Sequence, residues 1–386
     1  MQAVVLAGGR GARLSEAVPD RPKSLAPIGD RPFLLYLLEH LKSYGVDEAI
    51  LAVGYRAEQI EEAFGDGSGL GISLRYARET SPLGTGGALR NALPLIRDDD
   101  LLVVNGDTFF DLNYGTLKKF HRAWGAWATV ALKYRPAVSR YGLTELGPDY
   151  RVAAFREKPG DDGGGYVNGG VYLLRRQMLE TFPEGYRSLE REILPQWVRR
   201  GTVFGLPFGG KFIDIGVPED YRLACDKLPG WVESPKYRGL FLDRDGVIIE
   251  DSGYVYRKED VRFNERVVRV IRSANRLGWK VIVVTNQAGV ARGLYSEDDV
   301  RRLHQWLGEA LKKKDAHIEA FYYCPHHPEG TVNGYRKACL CRKPSPGMVL
   351  TAADEIGIEL EKSRMIGDKG TDLIRLPYLK SRILQL

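Results

Sequence analysis

The sequence predicts an α/β protein of two domains, each a mainly parallel sheet flanked by helices. Three observations lead there. Short apolar runs alternate with amphipathic helical patterns along the whole chain, as in strand–helix–strand units. Two of those runs, at 3–6 and 239–242, lead straight into turns rich in glycine or aspartate. Residues 226–238 hold two prolines and a glycine and read as a connection. The expected domains are therefore 1–228 and 238–386, with a linker at 229–237.

The elements follow in order. A strand is expected over 3–6, then a helix over 33–44 with Phe33, Leu34, Leu37, Leu38 and Leu41 on one face. Buried strands follow at 50–53 and 101–104. After the linker come a strand at 239–242, a helix at 265–277, a strand at 280–284, a helix at 297–314 and a strand at 318–323. The tail from Lys380 can supply one more strand. Only 18 residues follow Asp368, and Leu376-Pro377 interrupts the expected helix, so the second domain reads as short at its end.

Composition narrows the class. The 386 residues are 44% hydrophobic and 27% charged, ordinary for a chain that buries real cores. No run approaches the length of a membrane span, and the start lacks the charged and apolar regions of a secretion signal. A cytoplasmic protein with no membrane partner is expected. The formal charge of +6 is small for this length. It suits anionic phosphate substrates, and no basic and aromatic interleaving points to nucleic acid.

The first domain's chemistry begins after the first strand, with Gly8-Gly9-Arg10-Gly11-Ala12-Arg13-Leu14 and then Pro22-Lys23. Glycines there let backbone amides approach a phosphate chain, and Arg13 and Lys23 can neutralise phosphate charge. The spacing is neither a Walker loop nor a dinucleotide fingerprint. Further along come Gly84-Thr85-Gly86-Gly87, Asn105-Gly106-Asp107, Glu157-Lys158-Pro159, Asn168-Gly169-Gly170 and Asp214-Ile215-Gly216. Asp107 alone would read as a turn or capping residue. The ordered set over roughly 1–225 resembles the sugar-nucleotide pyrophosphorylases, with a Rossmann-like nucleotidyltransferase fold. That resemblance implies a nucleotide site at Leu6, Gly8, Gly9, Gly11, Gly84, Thr85, Gly86 and Asp107. It implies Mg²⁺ on Asp107 and Asp214, catalytic roles for Lys23 and Arg13, and sugar-phosphate contacts from Glu157, Lys158, Asn168 and Gly170. Leu25-Ala26-Pro27 and Asn105-Gly106-Asp107-Thr108 look most like the guanylyltransferases of mannose-like or heptose 1-phosphates, so GTP is the expected nucleotide.

In the second domain, the strand 239–242 ends in Asp243-Arg244-Asp245-Gly246. Two carboxylates two apart can divide labour, one attacking phosphorus and one moving protons. Thr285-Asn286-Gln287 and Gly367-Asp368-Lys369 stand at the ends of later strands, Lys343 just beyond the cysteine pair, and a parallel sheet gathers such ends into one crevice. Of the four cysteines, Cys324, Cys339 and Cys341 cluster with His326. Three thiolates and an imidazole in a loop over 324–341 read as a structural Zn²⁺ site. His326, not His327, shares a side with Cys324 in an extended chain. Cys225 stands apart and reads as inert packing.

This set resembles the haloacid dehalogenase superfamily of phosphatases. The resemblance makes Asp243 the nucleophile and Asp245 the acid/base. It puts Mg²⁺ on Asp243, Asp368 and the main-chain carbonyl of Asp245. The zinc loop and the Gln287–Gly293 stretch look like the heptose 1,7-bisphosphate 7-phosphatases, with histidinol-phosphate phosphatases close by. Asp251, Tyr254, Thr285, Asn286, Arg292, Arg342, Lys343 and Lys369 would then bind substrate. The joint expectation is a two-step enzyme: removal of the 7-phosphate, then guanylylation of heptose 1-phosphate. Alternatives are mannose 1-phosphate guanylylation with a histidinol-phosphate-like phosphatase, a zinc knuckle that binds nucleic acid, or a second domain that acts only as a scaffold.

Overall fold

A computed structural model describes residues 1–11, 13–14, 18–137, 142–156 and 164–384. The chain forms two compact units, whose main boundary falls between Ser234 and Pro235.

The first unit is organised on a nine-stranded mixed sheet. Gln2–Leu6 pairs in parallel with Glu48–Val53 on one side and Asp100–Asn105 on the other. The chain therefore crosses to opposite sides of Gln2–Leu6, which opens a crevice at that strand's carboxyl end. Glu48–Val53 is buried throughout, and so are Leu101 to Val104, because both faces of the sheet are covered. The helix Phe33–Ser43 packs its Phe33, Leu34, Leu37, Leu38 and Leu41 side inward. Pro32 precedes it with a fixed φ, and Gly45, at φ 80°, lets the chain turn away after Tyr44. Past Asp100–Asn105 the sheet turns antiparallel, with Val171 opposite Val104. A separate two-stranded ladder, Thr108–Phe110 with Phe212–Asp214, sets Asp214 opposite Thr108 and hence beside Asp107.

The second unit holds a five-stranded, wholly parallel sheet. Its order is Ala320–Cys324, Lys280–Asn286, Gly239–Leu242, Arg364–Gly367, Lys380–Ile383. Gly239–Leu242 is again the strand at which the crossovers change side, so Asp243 opens the crevice. Leu240, Leu242, Val283, Val268, Ile271 and Leu307 join one core cluster. Glu265–Arg276 starts on the Asn264 side chain, which accepts from the Arg266 and Val267 amides. Glu297–Lys312 starts on a Ser296–Asp299 capping box. After Asp368 only a short 3₁₀ turn forms, at Gly370–Asp372. The run through Pro377 then buries Ile374, Leu376 and Leu379 before the last strand pairs with Arg364–Gly367.

The expected linker is shorter than its composition suggests. The helix Pro218–Glu233 continues through Pro229 and Gly230. Proline at 229 removes the bond that its amide would make to the Cys225 carbonyl. Cys225 is exposed, so water can satisfy that carbonyl, and the cysteine is not core packing. No helix among the described residues is long and apolar enough to cross a membrane.

Candidate active sites

In the first unit, the crevice beyond Leu6 is lined by Gly9, Gly11, Arg13, Lys23, Asp107 and Gly216, around a cavity of about 280 Å³. Lys23 lies between the two acids, with Nζ 2.6 Å from Asp107 and 3.7 Å from Asp214. Burial, and then the charge of Asp107, push the Asp214 carboxyl up to about 6, with Lys23 opposing. Two carboxylates forced together around one cation are the donor set that a hard divalent ion takes. Gly170, at φ 66°, sits against Asn105 and Thr108, and its amide donates to the Asn168 side chain at 2.9 Å. Glu157 and Lys158 lie outside the described residues.

A larger cavity of about 570 Å³ adjoins this crevice, lined by Leu6, Gly8, Gly9, Tyr55, Glu79, Gly84, Thr85 and Asp107 among others. Of the nucleotide residues expected from the sequence, Leu6, Gly8, Gly9, Gly84, Thr85 and Asp107 meet here, Gly11 lines the adjoining crevice, and Thr85 and Gly86 are engaged with the protein itself. The Thr85 hydroxyl donates to Glu190 at 2.7 Å and accepts from the Leu189 amide. Gly86 is buried, and a Cβ there would strike Ile193 at 2.6 Å. Glu79 and Glu190 are additions that the motifs did not signal. Glu79 follows the strand Ser73–Arg78 and is half-buried, which raises its carboxyl. Its Oε2 accepts from the Leu83 amide at 3.2 Å. A side chain at Gly8 would meet Oε1 at 3.0 Å, so the glycine keeps that oxygen open. Glu190 also lines a third cavity of about 220 Å³ with Asn168, Arg156 and Thr144. It sits in the π-helical turn Leu189–Ile193 and accepts from the Tyr172 hydroxyl at 3.0 Å.

In the second unit, Asp243, Asp368 and Asp372 bring a carboxylate oxygen each within 4.8 Å of the others. Burial pushes the Asp243 carboxyl up to about 6, with the Lys343 charge opposing it. Lys343 is buried, with Nζ 2.8 Å from Asp243 and 2.5 Å from Asp372. Asp372 was not signalled by the sequence; it is buried and also accepts from the amides of Asp368 and Lys369. Asp372 thus holds Lys343 and the backbone after Asp368 in place, beside the carboxylates of Asp243 and Asp368. Gly246, at φ 79°, lies so close that a Cβ would be 2.2 Å from Asp368. The Asp245 carboxylate points elsewhere, onto Arg244.

The other expected substrate residues divide. Thr285 is buried and accepts from Gln287 at 2.8 Å. Asn286 pins the Lys343 backbone through two bonds, at 3.1 and 3.0 Å. Asp251 pairs with Lys369 at 2.6 Å, and Arg292 lies 6.0 Å over the Tyr254 ring, at the exposed rim. Arg342 donates to the His326 carbonyl at 3.1 Å.

Cys324, His326, Cys339 and Cys341 bring their ligand atoms within 4.8 Å of one another. The sulfurs stand 3.2 to 3.5 Å apart, and His326 Nδ1 lies 3.7 and 3.4 Å from Cys324 and Cys341. A Zn–S bond of about 2.3 Å in a tetrahedron gives S···S near 3.8 Å, close to this spacing. Hydrogen bonding among the three sulfurs pushes the Cys324 thiol up and the Cys339 thiol down, as thiols crowded onto one another share protons. The four ligands fit Zn²⁺. Prolonged chelation, or Cys339→Ser, is expected to remove one zinc per chain and lower the second unit's melting temperature by about 10 °C, since metal binding is folding free energy. Elemental analysis and calorimetry check this; a zinc-free chain with unchanged melting would remove the structural role.

Fold and sites define a chain with a nucleotidyltransferase first unit and a phosphatase-type second unit. The nucleotidyl transferase family model matches residues 2–229, more than half of the chain, and the chain belongs to that family. A HAD-hydrolase-like model matches residues 340–374. The first unit is 38% identical to a D-glycero-α-D-manno-heptose 1-phosphate guanylyltransferase of Aneurinibacillus thermoaerophilus, over 60% of this chain and 100% of the relative. The second is 42% identical to a D-glycero-β-D-manno-heptose-1,7-bisphosphate 7-phosphatase of Escherichia coli K12, over 35% of this chain and 70% of the relative. Among solved structures, HddC from Yersinia pseudotuberculosis superposes with a TM-score of 0.54 at 34% identity, covering 59% of this chain and 99% of that one. The same protein has also been solved complexed with GMP-PN.

Proposed function

We propose that the chain is a bifunctional enzyme of activated-heptose synthesis. It removes the 7-phosphate of D-glycero-D-manno-heptose 1,7-bisphosphate and transfers GMP from GTP to the resulting heptose 1-phosphate. The supporting observation is that one polypeptide joins likenesses to enzymes that act on opposite ends of the same sugar.

In the first unit, a sugar-phosphate oxygen attacks the α-phosphorus of GTP, the bond to the β-phosphate breaks, and pyrophosphate leaves. Lys23 and Arg13 offset the developing charge. Gly8, Gly9 and Gly11 let backbone amides reach the phosphates, and Asn168 and Gly170 orient the sugar. Mg²⁺ on Asp107 and Asp214 would screen the crowded oxygens. In the second unit, Asp243 attacks phosphorus while Asp245 protonates the leaving sugar oxygen. Asp245 then takes a proton from the water that cleaves the aspartyl phosphate. Lys343 and Thr285 face the transferred phosphoryl group, and Asp243 and Asp368 would hold the Mg²⁺ that neutralises it. The rim residues Asp251, Tyr254, Arg292, Arg342 and Lys369 suit the sugar and its remaining phosphate.

Glu79 fits the choice of base. Guanine presents two adjacent donors, N1–H and N2–H, that one carboxylate accepts together. Uracil and thymine set a single N–H between two carbonyls, which a carboxylate repels. Glu79→Gln is expected to lower kcat/KM for GTP by about 10²-fold and to raise it for UTP, measured as pyrophosphate release. An unchanged GTP preference would remove Glu79 from base selection.

The relatives' names also set a stereochemical requirement. Nucleotidyl transfer leaves the sugar's C1–O bond intact, so the anomer of the bisphosphate survives into the product. If the units act in sequence, the phosphatase must accept the α-anomer, although its Escherichia coli relative is named for the β. The deciding assay supplies each anomer of the bisphosphate with GTP, UTP, ATP and Mg²⁺ and reads products by mass. GDP-heptose from the α-anomer is expected; no nucleotide sugar from either anomer would refute the reading.

A further inference from the structure

We infer that Arg244 is a positioning residue for the phosphatase step: its guanidinium, with the Gln287 amide, clamps the carboxylate of Asp245. This rests on the acid/base role proposed for Asp245.

Arg244 is 1% exposed, and among the described residues its buried guanidinium pairs with one carboxylate, that of Asp245. Nε lies 3.1 Å from both oxygens of that carboxylate, and Nη2 lies 2.9 Å from Oδ1. The two N–H groups of Nη2 are shared with the Val255 carbonyl at 2.7 Å and Gln287 Oε1 at 3.0 Å, and Nη1 faces His304 Nε2 at 3.3 Å. A guanidinium cannot accept, so the His304 nitrogen facing it is the bare one. Burial and the Arg244 charge keep that imidazole neutral. Gln287 Oε1 also accepts from the Tyr295 hydroxyl at 2.8 Å. Two donors on that side fix the amide's orientation, so Nε2 donates to Asp245 Oδ2 at 2.9 Å and to Thr285 at 2.8 Å.

A buried ion pair is weak evidence for stability, because desolvation offsets most of its attraction. An arginine enclosed in the core and turned onto the proposed acid therefore calls for another role. The clamp supplies one. All four contacts on the Asp245 carboxylate come from three donors, and only the Gln287 bond is neutral. Protonation at Oδ2 displaces that weaker bond and the shared Nε contact there, while Nη2 and Nε keep Oδ1. The proton is thereby assigned to one oxygen, in one plane. In the first half-reaction the Asp243 oxygen–phosphorus bond forms, the phosphorus–sugar oxygen bond breaks, and the sugar oxygen takes this proton. In the second, Asp245 recovers a proton from the attacking water as phosphate leaves Asp243.

An acid-positioning residue matters in proportion to the leaving group's need for a proton. An alkoxide from a sugar needs one; p-nitrophenolate does not. The full chain is assayed for kcat/KM, which reports the steps through phosphoenzyme formation, on heptose 1,7-bisphosphate and on p-nitrophenyl phosphate. Asp245→Asn is the reference, and melting curves establish folding. Arg244→Lys is expected to lose about 10²-fold on the sugar phosphate and less than about 5-fold on the aryl phosphate. Gln287→Met, which retains the fork, is expected to show the same selectivity at about 10-fold, and it decides the matter should Arg244→Lys fail to fold. Equal losses on both substrates, or no loss on either, would overturn the clamp. If Asp245→Asn itself shows no leaving-group selectivity, the acid role of Asp245 fails rather than the positioning by Arg244.

Discussion

Asp243→Asn is expected to lower phosphate release from the bisphosphate by at least about 10³-fold while pyrophosphate formation from heptose 1-phosphate and GTP stays within about 2-fold of the parent. Asparagine keeps the shape of the side chain but lacks the carboxylate that forms the bond to phosphorus. The substitution is also mild for the fold. Lys343 retains Asp372 at 2.5 Å, so no buried ammonium is stranded. Asp372 retains its bonds from the Asp368 and Lys369 amides. Separate phosphate and pyrophosphate assays on one preparation, with a melting curve, distinguish lost chemistry from lost structure. A folded variant that has lost both activities would mean the two halves do not divide the work.

The strand ends were legible in the sequence because a parallel sheet buried on both faces writes each strand as an unbroken apolar run. The glycines and acids that follow such runs then stand out, as at Gly8 and Asp243. What escaped detection lacked that contrast. Glu79 follows a strand with mixed polarity, Ser73–Arg78, and leads into Thr80-Ser81-Pro82, which reads as an exposed turn. Glu190 gains its meaning from Thr85 and Tyr172, which are distant in sequence. Asp372 stands one short turn beyond Asp368, but its pairing with Lys343 and the burial of both belong to the fold and do not show in the sequence. Pro229 and Gly230 misled in the other direction. Composition marks a break, but a proline is tolerated in a helix when the carbonyl it strands faces water, as beside the exposed Cys225. The side chains of Thr85 and Asn286 are bonded to neighbouring backbone, at Leu189 and Lys343, which their motifs did not signal.

The same logic makes Lys23 the sharpest probe of the first unit. Its ammonium stands 2.6 Å from Asp107 and 3.7 Å from Asp214, two acids set side by side by the Thr108–Phe110 and Phe212–Asp214 ladder. One reading makes it only their counter-ion; the other has it follow the charge that grows on the triphosphate as pyrophosphate departs. Lys23→Met separates them because two readouts move in opposite directions. Without the ammonium, the acids repel more strongly and draw divalent cations harder, so the free protein's apparent Mg²⁺ affinity is expected to rise, measured by calorimetry. A counter-ion could then be replaced by Mg²⁺, and turnover at saturating Mg²⁺ would approach the parent. A donor aimed at the departing phosphates cannot be replaced, and its loss is expected to lower kcat for pyrophosphate formation by about 10² to 10³-fold at any Mg²⁺ concentration, with phosphate release by the second unit unchanged. Arg13 is exposed on the same cavity, so solvent screens its charge and Arg13→Ala should cost less. Recovery of full turnover by Mg²⁺ in the Lys23 variant would assign catalysis in this crevice to the metal and the backbone amides.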